Sequence, residues 1–319
     1  MAKGKYDALA GKLVALIGGS GFFGAHVAQE LLARGARLRV ISRHPERAFS
    51  LRPLAGLGQI QFIPGNVLKP ATLAYGLAGC DAVVNLVGAF AGDLDGLQGR
   101  GAGQIAEAAK SAGATAFVHV SALGASADSP VAYNRTKAEG EAAVLAAFPA
   151  ATILRPSVLF GGDDKFVNMF AGLISGLPAL PVFAPEAKLQ PLFVDDAAEA
   201  VAAALADPAR HGGKSYDIAG PEQISMLDLN RRIAEAQCRR RLFVPLPDAV
   251  SGAIATLTGW LPGAPITRDQ WALLKNGNVL AGRNGLDALG ITPRPLSLFL
   301  DKWMVRFRKH GRFGTKVRA

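Results

Sequence analysis

The chain has 319 residues, of which 50% are hydrophobic and 19% charged, and this composition excludes a disordered protein and leaves room for a large core. Its net charge of +10 is unevenly distributed, because residues 302–319 contain seven Lys or Arg and no acid. The rest of the chain is nearly neutral, which disfavours nucleic-acid binding. Two cysteines are too few for a disulfide framework and five scattered histidines show no metal-ligand spacing, so we expect no metal site.

A strand, a glycine-rich turn and a helix are predicted near the start of the chain. Residues 1–7, which precede this unit, lack the apolar core of a signal peptide. The strand is predicted at Leu13–Ile17 and the helix at Ala25–Arg34. Gly18 permits a tight turn, Gly21 lets the backbone approach a pyrophosphate, and Gly24 lets the helix pack closely. Free N–H groups at the helix start suit phosphate charge. The unit predicts dinucleotide binding by Gly18, Ser20, Gly21, Phe22, Phe23 and Gly24.

Further strands alternate with helical lengths through the first half of the chain. The strands are predicted at Arg37–Ile41, Ile60–Ile63, Ala82–Val87, Phe117–Val120 and Ala151–Leu154, and the helices at Gln104–Ser111 and Ala132–Phe148. This alternation indicates right-handed crossovers and an α/β fold, a Rossmann-type doubly wound parallel sheet. We assign residues 1–160 to this dinucleotide-binding domain.

The second half has a looser rhythm, with short strands at Ser215–Ala219 and Leu242–Val244. Helices are predicted to start at Asp195, Ser225 and Thr267, each a plausible N-cap. The apolar stretch Ala249–Leu261 is too short to span a bilayer. We therefore expect residues 161–319 to form a smaller, intergrown C-terminal α+β cap, with an approximate boundary and a chain that crosses between lobes.

The end of the second strand indicates which nucleotide is preferred. NAD-selective sites place an acid there, whereas this chain has Ser42 and Arg43 and no acid before Glu46. A guanidinium pairs with a 2′-phosphate, so NADP(H) is favoured over NAD(H); the alternative is a solvated surface arginine. Loops after the next two strands would lie along the adenine and the nicotinamide side, and they contribute Asn66, Val67, Leu86, Val87 and Gly88.

Tyr133 and Lys137 open the long helix, and Ser121 closes the strand before it. Residues four apart share a helix face, so the Lys137 ammonium is predicted to approach both the Tyr133 hydroxyl and a bound ribose. The cation would lower the pKa of the phenol, which suits proton transfer beside a hydride donor, and Ser121 would hold a substrate carbonyl. The alternative is an amphipathic pair on a solvated helix.

These motifs, with Leu154-Arg155-Pro156-Ser157, resemble the extended or atypical branch of the short-chain dehydrogenases/reductases. A narrower resemblance covers nearly the whole chain and rests on residues 51–60, 84–88, 119–121, 190–195 and 266–270. These strings look like the dehydrogenase-like accessory subunit of respiratory complex I (NADH:ubiquinone oxidoreductase) and its bacterial relatives. The resemblance implies cofactor contacts by the residues above and by Pro156.

In that family the fold holds a tightly bound NADPH off the electron-transfer route, and the subunit stabilises the hydrophilic arm near the membrane. The resemblance therefore implies complex I hydrophilic-arm subunits as partners, and a peripheral place on the cytoplasmic face of a bacterial inner membrane (the matrix side if eukaryotic). One departure is the glycine-rich stretch Ala89–Gly103, a poor helix by propensity, which in related epimerases forms the catalytic pocket. Its looseness argues against a defined substrate site.

Two other functions stay open at this point. The first is a free-standing NADP-dependent reductase or epimerase that uses Ser121, Tyr133 and Lys137 as catalytic residues. The second is a regulatory protein that senses NADPH/NADP⁺ through its conformation. The tyrosine and lysine do not separate catalysis from binding, because the same side chains also anchor a nicotinamide ribose.

The C-terminus combines aromatic residues with cations. Phe299, Trp303 and Phe307 are spaced by four in a predicted helix over residues 296–307, and Arg308, Lys309, Arg312, Lys316 and Arg318 follow. Such a pattern suits an anionic membrane surface or an acidic groove on a partner. The alternative is that the aromatic side chains pack on the cap while the last residues are solvated.

Overall fold

A computed structural model describes residues 8–258 and 267–313; the predictions that concern residues 1–7, Ile266, Lys316 and Arg318 lie outside these ranges. The strands are β1 (Leu13–Ile17), β2 (Arg37–Ser42), β3 (Ile60–Pro64), β4 (Ala82–Asn85), β5 (Ala116–Val120), β6 (Thr152–Pro156), β7 (Leu159–Phe160), β8 (Ala179–Val182), β9 (Lys188–Leu189), β10 (Leu192–Phe193), β11 (Ser215–Ile218), β12 (Ile224–Ser225) and β13 (Leu242–Pro245). The α-helices are α1 (Phe22–Ala33), α2 (Ala71–Leu77), α3 (Leu94–Gln98), α4 (Arg100–Ser111), α5 (Ala132–Ala147), α6 (Phe166–Gly176), α7 (Val194–Ala206), α8 (Pro208–His211), α9 (Met226–Ala236), α10 (Asp248–Thr258), α11 (Arg268–Lys275), α12 (Gly285–Ala288) and α13 (Ser297–Trp303), and 3-10 helices span Pro45–Leu54, Met304–Phe307 and Gly311–Phe313.

A seven-stranded parallel sheet forms the larger of two compact units, which comprises residues 1–156, 194–218 and 283–292. Its strand order is β11-β6-β5-β4-β1-β2-β3, and every neighbouring pair is parallel. The central strands are apolar because both of their faces are covered by helices, as in β1, whose Val14 and Leu16 are fully buried. The predicted Rossmann-type α/β fold is confirmed.

Most of the glycine-rich stretch Ala89–Gly103 is helical despite its low helical propensity, and residues 89–93 are not. Residues of this stretch form α3 and the first turn of α4, and both helices pack against α5. Glycine is required by this close packing: a Cβ at Gly103 would lie 2.9 Å from the Cβ of Ala143, and one at Gly140 would overlap the carbonyl oxygen of Gln98. Helix packing therefore outweighs the low helical propensity of glycine.

This close packing gives a stability prediction. We expect Gly140→Ala to lower the free energy of unfolding by about 1–3 kcal/mol, because the added methyl forces α5 away from α3. Gly172→Ala in α6 is the matched control, since its Cβ would meet open space; there we expect a gain of about 0.5–1 kcal/mol from helix propensity. Urea denaturation measures both changes, and a neutral Gly140→Ala would contradict the packing argument.

The second unit comprises residues 157–193, 219–282 and 293–319. Short strand pairs join β7 to β10, β9 to β12 and β8 to β13, and α6 packs against α9. The predicted N-caps of α9 and α11 are confirmed: Ser225 accepts a hydrogen bond from the Asp228 N–H, and Thr267 forms a capping box with Gln270. The predicted boundary at residue 160, where the nucleotide-binding domain would end, stays a prediction.

Aromatic residues near the C-terminus pack inside this second unit. The Phe299 ring stacks on Phe193 with centroids 4.1 Å apart and on Trp303 at 5.0 Å. Arg308 Nε donates to the Ala236 carbonyl oxygen at 2.8 Å, which fixes the chain just after the last predicted aromatic residue. Of the two alternatives for Phe299 and Trp303, the structure has the one in which they pack on the cap. Among helices within the described residues, none is long and apolar enough to cross a membrane.

Candidate functional site

The glycine turn between β1 and α1 has the geometry of a phosphate cradle. Gly18 has a φ of +81°, a left-handed conformation that favours glycine, and a Cβ there would lie 3.3 Å from the carbonyl carbon of Leu86. A Cβ at Gly24 would lie 2.6 Å from the Cα of Gly19. Gly21 is the exposed N-cap of α1, so no side chain caps the first turn of this helix. The backbone N–H groups of this first turn are thus available to an anion.

The second strand ends in one buried and one exposed polar residue. Ser42 is buried, and its hydroxyl has no hydrogen-bond partner among the residues described. Arg43 is exposed. The nearest acid in sequence, Glu46, lies 3.2 Å from His44 Nδ1. A buried hydroxyl without a partner is costly, so Ser42 is a candidate to bind a ligand at the end of this strand.

The loop after β3 uses its predicted site residues partly for its own structure. Asn66 Oδ1 accepts a hydrogen bond from the Leu68 N–H at 3.0 Å, which leaves the amide Nδ2 as the group for an adenine edge. Val67 is buried in the hydrophobic core rather than open to a ligand. A nucleotide contact by Val67 would therefore have to use its backbone.

Lys137 joins the carboxyl ends of β4 and β5. Its Nζ donates to the carbonyl oxygens of Val87 at 3.2 Å and Val120 at 3.0 Å, and a Cβ at Gly88 would lie 3.4 Å from it. The structure thus brings Lys137 together with the predicted loop Leu86–Gly88. Burial lowers the pKa of Lys137 to about 8, and the Glu141 carboxylate opposes part of this shift.

The lowered pKa of Lys137 makes the stability of the nucleotide-free protein depend on pH. Between pH 8 and 10.5 the unfolded chain binds the proton that the folded chain has released, so stability rises with pH in this window. We expect a rise of up to about 3 kcal/mol, taking about 1.4 kcal/mol for each pKa unit. Denaturation of the wild type and Lys137→Met across this range measures it; equal slopes would show that Lys137 does not titrate there.

Tyr133 differs from its predicted state. Its ring stacks on Phe90 with centroids 4.5 Å apart, and burial raises the pKa of Tyr133 to about 12. The predicted lowering of this pKa by Lys137 is wrong, because the ammonium is bound to two backbone carbonyls and desolvation of the phenol dominates. Ser121 is buried, and its hydroxyl has no partner within the described residues.

A buried polar pair on β4 and β5, Asn85 and His119, was not predicted from the sequence. Asn85 and His119 are opposite each other in the β4–β5 register; Asn85 Nδ2 lies 3.1 Å from His119 Nδ1, and its Oδ1 accepts from the Val87 N–H. Burial and the Lys137 charge hold the pKa of His119 well below its ordinary value. The signal was present, since an asparagine and a histidine at the ends of apolar strands are unusual.

Two further missed groups hold the helix that carries Tyr133 and Lys137. Gln98 Oε1 accepts from the Ala89 N–H at 3.1 Å, and its Nε2 donates to Thr136 Oγ1 at 2.9 Å, so it ties the loop after β4 to α5. Arg155 of β6 binds both carboxylate oxygens of the buried Glu141 on α5. Only the contacts between separate elements reveal these roles.

The described residues contain no group of three or more His, Cys, Asp or Glu side chains that could hold a metal ion.

The chain is similar to known nucleotide-binding proteins. Residues 18–165 match a family model described as NAD(P)H-binding, and residues 125–253 match an RmlD substrate binding domain. The chain is 31% identical to NADH dehydrogenase (ubiquinone) 1 alpha subcomplex subunit 9 of Rattus norvegicus mitochondria, an alignment that covers 99% of this chain and 85% of that protein. It is 34% identical to a ceramide reductase of Caulobacter vibrioides over 61% of this chain and 62% of that protein.

The solved structures show the same fold. The NADPH-dependent quinone oxidoreductase of Escherichia coli, complexed with NADPH, superposes with a TM-score of 0.74 at 20% identity, covering 91% of this chain and 99% of that one.

Proposed function

Because the chain belongs to the family of the alpha subcomplex subunit 9 of NADH dehydrogenase (ubiquinone), we propose that it is an NADP(H)-binding accessory or assembly subunit of respiratory complex I. The observation that carries the proposal is the similarity along 99% of the chain. The glycine turn and the Lys137 site of this chain support the nucleotide-binding part of it. The partners would be hydrophilic-arm subunits of the complex, and the location peripheral, on the cytoplasmic face of a bacterial inner membrane or the matrix side in a mitochondrion.

The residues at the site support binding of the nucleotide more than its turnover. Nicotinamide, when bound, supplies the chemistry of hydride transfer. A phenol whose pKa is raised to about 12 exchanges its proton poorly near neutral pH. Lys137 is already held by the Val87 and Val120 carbonyl oxygens, so its ammonium is fixed where it would bind a ribose hydroxyl. The residues that would hold the nucleotide are Gly18, Ser20, Gly21, Phe22, Phe23, Gly24, Ser42, Arg43, Asn66, Val67, Leu86, Val87, Gly88, Tyr133, Lys137 and Pro156.

The preference for NADP(H) would rest on Arg43. We expect Arg43→Glu to replace attraction to the 2′-phosphate by repulsion and to weaken NADPH binding by about 2–5 kcal/mol, with little effect on NADH. Isothermal titration of both nucleotides measures the change. Arg47→Glu is the matched control, an exposed arginine four residues further along. Equal NADPH affinity in the wild type and Arg43→Glu would assign the preference to other residues.

A second candidate function is an NADP-dependent reductase or epimerase. The buried hydroxyl of Ser121, which lacks a partner in the described part of the chain, favours it, because such a group suits a substrate carbonyl. In that case Ser121 would orient the carbonyl, Tyr133 would donate a proton from Oη, and Lys137 would hold the ribose. A Tyr133→Phe variant separates the candidates: a subunit would keep its incorporation into complex I and its nucleotide, whereas a reductase would slow about 10²–10⁴-fold.

The direct test is affinity purification of the tagged full chain from native membranes, with the bound nucleotide identified by mass spectrometry. We expect complex I subunits in constant proportion and NADPH or NADP⁺ near one per chain. Recovery of a free monomer with active NADPH turnover, from membranes that contain intact complex I, would favour the reductase instead.

Membrane proximity would involve the basic C-terminus. Arg306 donates to the Gly162 carbonyl oxygen, so this cation is used inside the second unit. Exposed Lys309 and Arg312 remain as candidates for an anionic surface or an acidic partner. Each such cation near an anionic membrane contributes about 1 kcal/mol, and salt screens it. We therefore expect moderate salt to release, from membranes, the fraction of the protein that is not bound to complex I.

A further inference from the structure

The outer edge of β3 is an open strand edge. It is the last strand of the sheet, and no strand of the described residues pairs with its outer side. The Gln59 carbonyl accepts from the Leu38 N–H and the Gly65 N–H donates to Ser42. Because backbone groups alternate along a strand, those of Ile60 and Phe62 point away from the sheet. Open edges are usually protected by charged side chains, proline or a short strand; β3 (Ile60-Gln-Phe-Ile-Pro64) has no charge, and its proline lies only at its end.

A groove with both apolar and polar lining follows this edge. It has a volume of about 820 Å³, and its lining includes Phe49, Arg52, Leu57, Ile60, Phe62 and Tyr75. Leu57 is fully exposed, and Tyr75 is 78% exposed. Large apolar side chains held in water beside a concave surface are typical of a binding site. The side chains come from the 3-10 helix, from α2 and from the loop before β3, so they flank the strand edge.

One cation lies at the groove, in a segment of the chain that is basic in sequence. Residues 36–75 contain six Lys or Arg and one acid. The Arg52 guanidinium lies over the Phe49 ring at 3.6 Å and within 5.6 Å of the Phe62 ring centroid, which places a cation at the groove itself. Arg43 and Arg47 are exposed nearby in sequence. Charge complementarity with Arg52 therefore favours an occupant that is acidic as well as apolar.

We propose that the β3 edge binds an extended acidic segment of another protein as an added strand. Backbone hydrogen bonds to Ile60 and Phe62 would align the segment, alternate apolar side chains would fill the groove, and its carboxylates would face Arg52. A second copy of this chain is disfavoured because its edge carries the same positive charge. The chain's own residues 1–7, 259–266 and 314–319 are neutral or basic in sequence. A lipid surface would not satisfy the strand's backbone groups.

The test uses the full-length protein and a fluorescein-labelled ten-residue peptide of alternating glutamate and valine. Fluorescence anisotropy is expected to show saturable binding, which the variant Leu57→Ser/Tyr75→Ser and the variant Arg52→Glu each weaken at least about tenfold. The matched controls are Leu298→Ser and Arg268→Glu, exposed residues outside the groove that should leave binding unchanged. The thermal unfolding of each variant confirms that it is folded.

Two control ligands separate strand addition from other contacts. A peptide N-methylated at alternate residues keeps the side chains but loses the hydrogen bonds to the edge, and it should bind at least about tenfold more weakly. A peptide with lysine in place of glutamate should not bind. The proposal is overturned by equal binding of the N-methylated peptide, by no saturation up to about 1 mM, or by groove-dependent binding of phosphatidylserine vesicles. Groove-dependent dimers in sedimentation would instead assign the edge to a second copy.

Discussion

Replacing Gly21 by valine is expected to remove nucleotide binding and leave the fold intact. Gly21 is exposed and has a φ of −84°, and a Cβ there meets only the Gly18 carbonyl oxygen at 3.5 Å, an ordinary contact. The two valine methyl groups would occupy the space through which a pyrophosphate reaches the first N–H groups of α1. Two charge-assisted hydrogen bonds contribute about 3–6 kcal/mol together, so affinity should fall about 10²–10⁴-fold.

The measurement is thermal unfolding with and without NADPH. Linkage predicts that NADPH at a thousandfold excess over the wild-type Kd stabilises the wild type by about 4 kcal/mol and Gly21→Val by at most about 1.4 kcal/mol. Without nucleotide the two proteins should agree within about 1 kcal/mol, the scale of an N-cap change. Gly24→Val is the contrasting variant, because its side chain would meet the Gly19 backbone and disturb folding itself. A Gly21→Val protein that is stabilised by NADPH like the wild type would show that the phosphates bind elsewhere.

Replacing Arg155 by methionine is expected to cost about 3–5 kcal/mol of stability. Arg155 Nε donates to Glu141 Oε1 at 2.8 Å, and Nη1 lies 3.4 Å from Asp217 Oδ1, so one guanidinium joins α5, β6 and β11. Glu141 is only 6% exposed. Methionine would leave this carboxylate buried without its cation. Since Glu141 follows Lys137 by one helical turn, nucleotide affinity should decrease as well.

Two comparisons isolate the buried ion pair. The double variant Arg155→Met/Glu141→Leu should recover most of the loss, because replacing both partners removes the uncompensated charge. Arg231→Met removes the cation from the exposed pair with Asp228 and should cost less than about 1 kcal/mol. Urea denaturation of the wild type, Arg155→Met, Glu141→Leu and the double variant gives the coupling energy between Arg155 and Glu141. A loss in Arg155→Met no larger than that in Arg231→Met would contradict the argument.

Features that depend on neighbours in sequence were predicted well. The alternation of strands and helices, the glycine turn and the N-caps of α9 and α11 all follow from local patterns, and the fold could be inferred from them. The family was inferred from the resemblance of longer strings, such as residues 190–195, to a known family. The C-terminal aromatic residues were harder, because a spacing of four indicates only a common helix face. Whether that face contacts a membrane or Phe193 depends on a residue more than a hundred positions away.

By itself, the sequence determined the Rossmann-type sheet, the phosphate cradle at Gly18–Gly24 and the presence of Tyr133 and Lys137 on one helix face, because periodicity and turn chemistry act over a few residues. Only the tertiary structure decided the state of those side chains. Strand register brings Asn85 to His119, and crossing elements bring Arg155 to Glu141. Burial raises the pKa of Tyr133 and lowers the pKa of Lys137. These effects arise in the tertiary structure because desolvation and hydrogen bonding depend on residues that are distant in the chain. The glycine-rich α3–α4 segment is helical for the same reason, since its packing on α5 outweighs its low helical propensity.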